Sequence, residues 1–338
     1  MSLDQTAKSA PPTKAHKSGF GFSQHMNELS LFIAIIVLYV VFTSTANGFL
    51  SFNNQINILR DAATIGIAAW AATLIIIAGE IDVSVGPMVA FISVILAYLL
   101  QWHVPTPLAF ALSIVFGAAL GSIAGILRAY FDVPSFVGTL GLWSALRGTA
   151  LFVTDALPVS IGRNDMVDAL DRSVFGIPPA AIIMLMLFAV FAFISRKTAF
   201  GRSVFAIGGN AHAAFLSGIS VSRIRVALFA IAGAMAAISG ILLLSRLGSG
   251  NATAATGLEF DVIAAVVVGG TSLSGGRGSM LGTLLGVLVI TLIGNGLVLL
   301  GINPFFQQVV RGLIIVVAVL ANIQAIKRSA SRNTRVER

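Results

Sequence analysis

The stretch AATIGIAAWAATLIIIAGEIDVSVGPMVAFISVILAYLL, residues 62–100, decides the fold class. Residues 62–78 are apolar apart from two threonines. Residues 79–86 (Gly79-Glu80-Ile81-Asp82-Val83-Ser84-Val85-Gly86) are bounded by glycine and acidic, and 87–100 are apolar again. A helix needs about 20 mostly apolar residues to cross a hydrocarbon core of about 30 Å. Apolar runs joined through so short a break therefore predict two membrane-embedded helices with a polar interruption between them.

Outward from this stretch, further apolar runs lie at 29–45, 108–127, 136–152, 177–194, 226–244, 262–268, 280–300 and 305–323. The run at 262–268 is short. Every proline falls outside the runs or at an edge, Pro87, Pro134, Pro178 and Pro304 among them, as helical interiors require of a residue that lacks an N–H and clashes with the preceding turn. The reading is all-α: a polytopic membrane helical bundle of about ten transmembrane helices. Composition agrees, with 57% of 338 residues hydrophobic, 10% charged and a mean hydropathy of +0.96, against about 25% charged in soluble domains.

The net charge of +8 sits in the tails and short loops, which fits the positive-inside rule and not a nucleic-acid partner. Segment 196–225 carries Arg196, Lys197, Arg202, Arg223 and Arg225 without an acid, and the C-terminal stretch carries Lys327, Arg328, Arg332, Arg335 and Arg338. Both belong in the cytoplasm. Loop 154–176, with Asp155, Asp165, Asp168 and Asp171, belongs on the opposite side. Residues 1–28, with Lys8, Lys14 and Lys17 and no cleavage site, read as a cytoplasmic tail, 29–326 as the membrane domain, and 327–338 as a second cytoplasmic tail. Both termini are cytoplasmic if ten spans are present, so 262–268 is expected to belong to a full but irregular crossing.

Two stretches break the apolar pattern with glycine and polar residues: 79–86, and 269–278, Gly269-Gly270-Thr271-Ser272-Leu273-Ser274-Gly275-Gly276-Arg277-Gly278. Each follows an aliphatic run and leads into another span, which suggests one element duplicated in the two halves. Unwound backbone is tolerated at membrane depth only beside protein or a water-filled cavity, so Gly79, Glu80, Asp82, Ser84, Gly86, Thr271, Ser272 and Ser274 are candidates for a translocation path. The alternative is a turn at the membrane surface, with Asp82 or Ser84 capping the following helix. Gln307 and Gln308 stand near Arg311 and are candidates for an outer vestibule, or for interhelical hydrogen bonding. Arg147 and Arg311 lie within apolar runs, in the half nearer the outer face, where snorkelling to headgroups is the simpler account. Glycine steps at Gly117, Gly121 and Gly125, and at Gly282 and Gly286, predict close helix approach, and Trp102 an interfacial anchor.

Residues 206–219, AIGGNAHAAFLSGI, form the most informative loop. Asn210 can cap a short amphipathic helix running through Leu216, and Gly218 can stop it. Such a helix, projecting into the cytoplasm, can dock a partner or lie on the membrane. This loop, the Gly-x-Ile-Asp-Val-Ser-Val-Gly stretch, Val133-Pro134-Ser135-Phe136 with Thr139-Leu140-Gly141, and Gly270-Thr271-Ser272-Leu273-Ser274-Gly275-Gly276 together resemble the ribose-type monosaccharide ABC importer permeases, over about residues 58–320. The resemblance implies about ten spans, a second permease copy, a periplasmic sugar-binding protein, and a separate cytoplasmic ATPase that binds the ATP and magnesium. It implies a bacterial inner-membrane location. It seats Gly208, Gly209, Asn210, Ala213, Ala214, Leu216, Ser217 and Gly218 on that ATPase, and it adds Phe136 to the path candidates. Two positions depart from the pattern, Glu80 where glycine is usual and Phe215 where arginine is common.

No Gly-Lys pair occurs, so no phosphate loop ends in the required Gly-Lys-Ser/Thr, and this chain itself is expected to bind no cofactor. Four scattered histidines (His16, His25, His103, His212) and no cysteine make neither a metal site nor a nucleophile with its base. No catalytic residue is expected. An ion-coupled secondary transporter is the alternative, but carboxylate or histidine relays deep in the membrane, usual there, are missing from the sequence pattern.

Overall fold

The computed structural model describes residues 20–173 and 175–336, with side chains described from residue 27 to residue 320. Lys8, Lys14, Lys17 and Arg338 lie outside the described residues, as do the side chains of Lys327, Arg328, Arg332 and Arg335. The apolar runs fold as α1 (Phe20–Thr45), α2 (Phe52–Ile77), α3 (Val85–Gln101), α4 (Thr106–Tyr130), α5 (Ser135–Thr154), α7 (Pro179–Lys197), α10 (Val221–Leu247), α11 (Leu258–Val268), α12 (Met280–Leu299) and α13 (Pro304–Val336). Seven of these are long and apolar enough to cross a membrane, α3 and the apolar part of α13 are shorter, and α11 is the shortest. Between them lie α6 (Asp165–Asp171), α8 (Ala199–Gly209) and α9 (Ala211–Leu216), and two short strands, β1 (Val159–Ser160) and β2 (Ser249–Gly250), that pair antiparallel.

Helix α2 is the axis. Its most apolar window is 83% buried, against 11% for that of α1, and Trp70 at its centre is fully enclosed, its Nε1 donating to the Met184 carbonyl of α7 at 3.2 Å. Helix α10 runs antiparallel beside it: Ser239 Oγ donates to the Thr64 carbonyl at 3.2 Å, and Arg246 reaches Asp61. Burial of apolar side chains drives no helix association in lipid, so close backbone approach has to do it. Gly117, Gly121 and Gly125 of α4 lie against Gly233, Phe229 and Val226 of α10, and Gly282 and Gly286 of α12 against Gly269 and Ala265. The glycine steps are thus packing surfaces. Exposed Phe32, Val40, Val115, Leu185, Phe193 and Val317 present the outer helices to lipid.

Chain direction sets two ends. One carries α8 and α9 with the starts of α5 and α10; the other carries β1, β2, α6 and the exposed Trp102. The short run at 262–268 does belong to an irregular crossing: α11 spans only about 16 Å at about 1.5 Å per residue, and β2 followed by a run of turns over residues 252–257 precedes it on the way in from the other end.

Candidate functional site

Two crossings are broken, and they meet. After α2, Gly79 turns the chain at φ +80° and residues 80–84 climb back along α5. There the Ile81 N–H donates to Ser135 Oγ at 3.1 Å and the Val83 N–H to Thr139 Oγ1 at 3.3 Å. Helix α3 therefore begins inside the bundle. From the opposite end, the chain after β2 descends along α3. Gly250 packs on Ala97, the Asn251 N–H donates to Ser93 Oγ at 3.3 Å, and Gly257, at φ +84°, starts α11.

The first turns of α3 and α11 face each other. Gly86 and Glu259 each hold the second position of their helix, and a Cβ on Gly86 would collide with the Glu259 carboxylate and lie 2.8 Å from the Ala255 carbonyl oxygen. Trp143 Nε1 donates to Glu259 Oε1 at 2.9 Å. Oε2 has no hydrogen-bond partner among the described residues, and it sits against the start of α3, where unpaired N–H groups and the helix dipole favour an anion. One turn further along α5, Arg147 donates to the Ala254 carbonyl at 3.1 Å and to that of Ala252. Arg147 therefore does not snorkel. Ser135, Thr139, Trp143 and Arg147, four residues apart, form one stripe of α5 that holds both broken segments.

The repeated element is consequently not the one the glycine pattern suggests. The counterpart of 80–84 is the descending segment 251–257, whereas 269–278 is a turn at the α8–α9 end. That turn is the second half of the site. The Gly276 N–H donates to the Ile77 carbonyl at 2.8 Å. A Cβ on Gly208 would strike the same carbonyl, and one on Gly275 would lie 2.8 Å from the Gly208 carbonyl oxygen and 3.1 Å from Gly79. Gly79, Gly208, Gly209, Gly275 and Gly276 thus make a node of bare backbone that joins α8 to the end of α2 and to the α11–α12 turn. Beside it, Glu80 is buried between Arg128 of α4 at 2.9 Å and Arg225 of α10 at 2.7 Å.

Helix α9 hangs from this node. Asn210 Oδ1 accepts from the Ala213 N–H at 2.9 Å, Gly218 leaves the helix at φ +84°, and Ala214 is buried against the bundle. Phe215 and Leu216 point away from it, 65% and 72% exposed. Ala213 and Ser217 are exposed on the same helix. The remaining path candidates separate. Asp82 folds onto Ser84, accepting from its N–H at 2.8 Å and its hydroxyl at 2.6 Å. Thr271 and Ser272 are buried in the α11–α12 turn, Ser274 is exposed there, and Phe136 is exposed at the start of α5. Gln307 lines a cavity at the β1–β2 end and Gln308 faces outward. Arg311, read as snorkelling, instead pairs with Asp261 of α11 at 3.1 Å. The described residues contain no cluster of three or more metal-ligating side chains.

A multi-helix bundle whose two broken crossings are tied at one end to an exposed helix defines a polytopic membrane protein with irregular backbone at its centre. The chain belongs to the family described as branched-chain amino acid transport system / permease component, whose model matches residues 54–319. Over 308 residues it is 68% identical to the probable ABC transporter permease protein YphD of Escherichia coli (strain K12), covering 91% of this chain and 93% of that one. It is 41% identical to the ribose import permease protein RbsC of Bacillus subtilis (strain 168), over 88% of this chain and 94% of that one. To the xylose transport system permease protein XylH of Escherichia coli (strain K12) it is 33% identical, over 95% and 98%. No solved structure matches it. The chain is accordingly a multi-pass inner-membrane permease.

Proposed function

We propose that the chain is the membrane-spanning subunit of an ATP-driven ABC importer that carries a sugar or sugar-like solute into the bacterial cytoplasm. The observation that carries this reading is the glycine node. Backbone at Gly208 touches backbone at Ile77 and Gly276, so a displacement of α8 and α9 reaches both broken crossings with no flexible side chain to absorb it. A separate cytoplasmic ATPase, holding ATP and magnesium, seats on Phe215 and Leu216. The basic character of 196–225 supports a cytoplasmic place for that surface. A periplasmic sugar-binding protein delivers solute at the β1–β2 end, and a second copy of the chain completes the pathway. Sugar as the cargo is supported by the relatives named for ribose and xylose.

In this mechanism ATP-driven closure of the ATPases presses on α9. The Asn210 cap keeps that short helix rigid, α8 passes the shift to the node, and the facing starts of α3 and α11 separate or approach. The solute crosses unchanged. The test is uptake of labelled sugars into proteoliposomes with the ATPase and binding protein added or omitted. Uptake should require both partners and internal ATP, and Asn210→Ala combined with Leu216→Lys should abolish it in protein that inserts normally. Uptake driven by an ion gradient with the permease alone would make the chain a secondary transporter.

A further inference from the structure

The half of the bundle away from α8 and α9 holds an open-sided cavity of about 540 Å³ between α2, α10, α11, α12 and α13. Its walls run along α2 from Asn54 to Ile65, roughly 16 Å at about 1.5 Å per residue. It reaches from the β1–β2 end past the start of α11 to the middle of that helix, where Ile65, Ala264 and Ile290 form an apolar floor.

Its chemistry is unusual for the interior of a membrane bundle. Both carboxylates on the wall are met by a guanidinium, Asp61 by Arg246 and Asp261 by Arg311, so the charged groups sum to zero. The other polar groups are amides and hydroxyls. Asn54 and Asn295 exchange hydrogen bonds at 3.0 and 2.8 Å, and Asn54 Nδ2 also donates to the Phe49 carbonyl at 2.9 Å; the Asn54 donors are thus used, while Asn295 keeps one donor and acceptor capacity for a solute. The buried Thr291 hydroxyl, also on the wall, has no hydrogen-bond partner among the described residues. Its oxygen has essentially no surface open to the cavity, so the contacts a solute can use fall to the Asn57, Thr256, Asn295 and Gln307 side chains of the wall. An ion would require uncompensated charge, and an acyl chain would leave this polar lining unpaired. Neutral donors and acceptors interleaved with aliphatic faces, in a volume within the usual range of about 300–1,000 Å³ for small-molecule sites, match a sugar-like solute, which presents hydroxyls at its edge and C–H groups on its ring faces.

We propose that this cavity, lying inside a single copy of the chain, is a binding site for a neutral polyhydroxylated solute of monosaccharide size, occupied before the solute passes the junction of α3 and α11. The assignment rests on the transport reading for why such a solute arrives at this end. Gly294 gives a direct test, because it lines the cavity and a Cβ built on it would meet nothing within 4 Å. A side chain placed there enters open space without displacing backbone. Purified permease without partners is titrated with tritiated D-ribose, D-xylose, myo-inositol and gluconate. Saturable binding of at least one neutral solute is expected, at least tenfold tighter than gluconate. Gly294→Trp should lose at least tenfold in affinity and Gly294→Ala should keep it.

Wild-type protein that binds none of the neutral solutes at millimolar concentration would show a cavity holding water only and overturn the assignment. Unchanged binding and uptake in Gly294→Trp would place the solute elsewhere and overturn it equally. Neither result bears on the transport reading, which fails separately if the wild-type complex with ATPase and binding protein shows no ATP-dependent uptake.

Discussion

Gly208 and Gly209 are neighbours that should tolerate a methyl group very differently. A Cβ on Gly208 meets the Ile77 carbonyl, whereas one on Gly209 meets nothing within 4 Å. Gly208→Ala is expected to lower stability by about 1–3 kcal/mol, the usual cost of overpacking, and to cut ATP-dependent uptake. Gly209→Ala should leave both thermal unfolding in detergent and uptake near wild type. Glu80 offers a second contrast. Its removal leaves Arg128 and Arg225 facing each other with only the exposed Asp132, 3.9 Å from Arg128, as counter-charge. Breaking a buried pair costs about 3–5 kcal/mol, but both guanidiniums keep some solvent (23% and 14% exposed), so Glu80→Ala should cost about 1–3 kcal/mol, read as a lowered melting temperature. The acid was visible in the sequence as an interruption. Its role was not, because Arg128 is 48 residues away and nothing local records the pairing.

At the scale of elements, α9 was legible and the α5 stripe was not. Asn210, the apolar pair Phe215 and Leu216, and Gly218 are all local signals, and cap and stop geometry depends only on residues within one or two turns. Ser135, Thr139, Trp143 and Arg147 also follow a readable four-residue spacing, but their partners are backbone groups and a carboxylate in segments that are distant in sequence. Without those partners, an arginine in an apolar helix reads as snorkelling. The descending segment 251–257 was missed for a related reason: its asparagine, threonines and alanines resemble an ordinary surface loop, while the showier glycines of 269–278 mark the surface turn. The stripe makes its own prediction. Trp143→Phe keeps an aromatic side chain, with a smaller ring, and removes the N–H donated to Glu259, leaving that carboxylate without a side-chain donor. Hydrogen bonds to charged groups are worth about 1.5–3 kcal/mol, and a loss of that size should appear in thermal unfolding, together with slower uptake.

For the whole molecule, the sidedness of the two ends can be read directly because the chain has no cysteine. In intact cells a membrane-impermeant maleimide should label Trp102→Cys and Phe175→Cys. It should reach Leu216→Cys and Ser274→Cys only after the membrane is opened. The reverse pattern would invert the orientation and the direction of transport with it. The bundle as a whole followed from ten apolar runs, but which helix lies at its centre did not. Helix α2 has a mean hydropathy of 1.5 in its best window against 2.1 for α1, and hydropathy does not distinguish contact with lipid from contact with protein. The central place of α2 has a consequence for biogenesis. A ribosome delivers α2 to the membrane before α7, α10, α11 and α12, which enclose it in the finished protein, have been synthesised. Until then Asn54, Asn57, Arg60 and Asp61 face lipid or the translocation channel uncovered. A chain cut short before α10 would leave them so, and would present quality-control proteases with the very helix that the complete protein hides best.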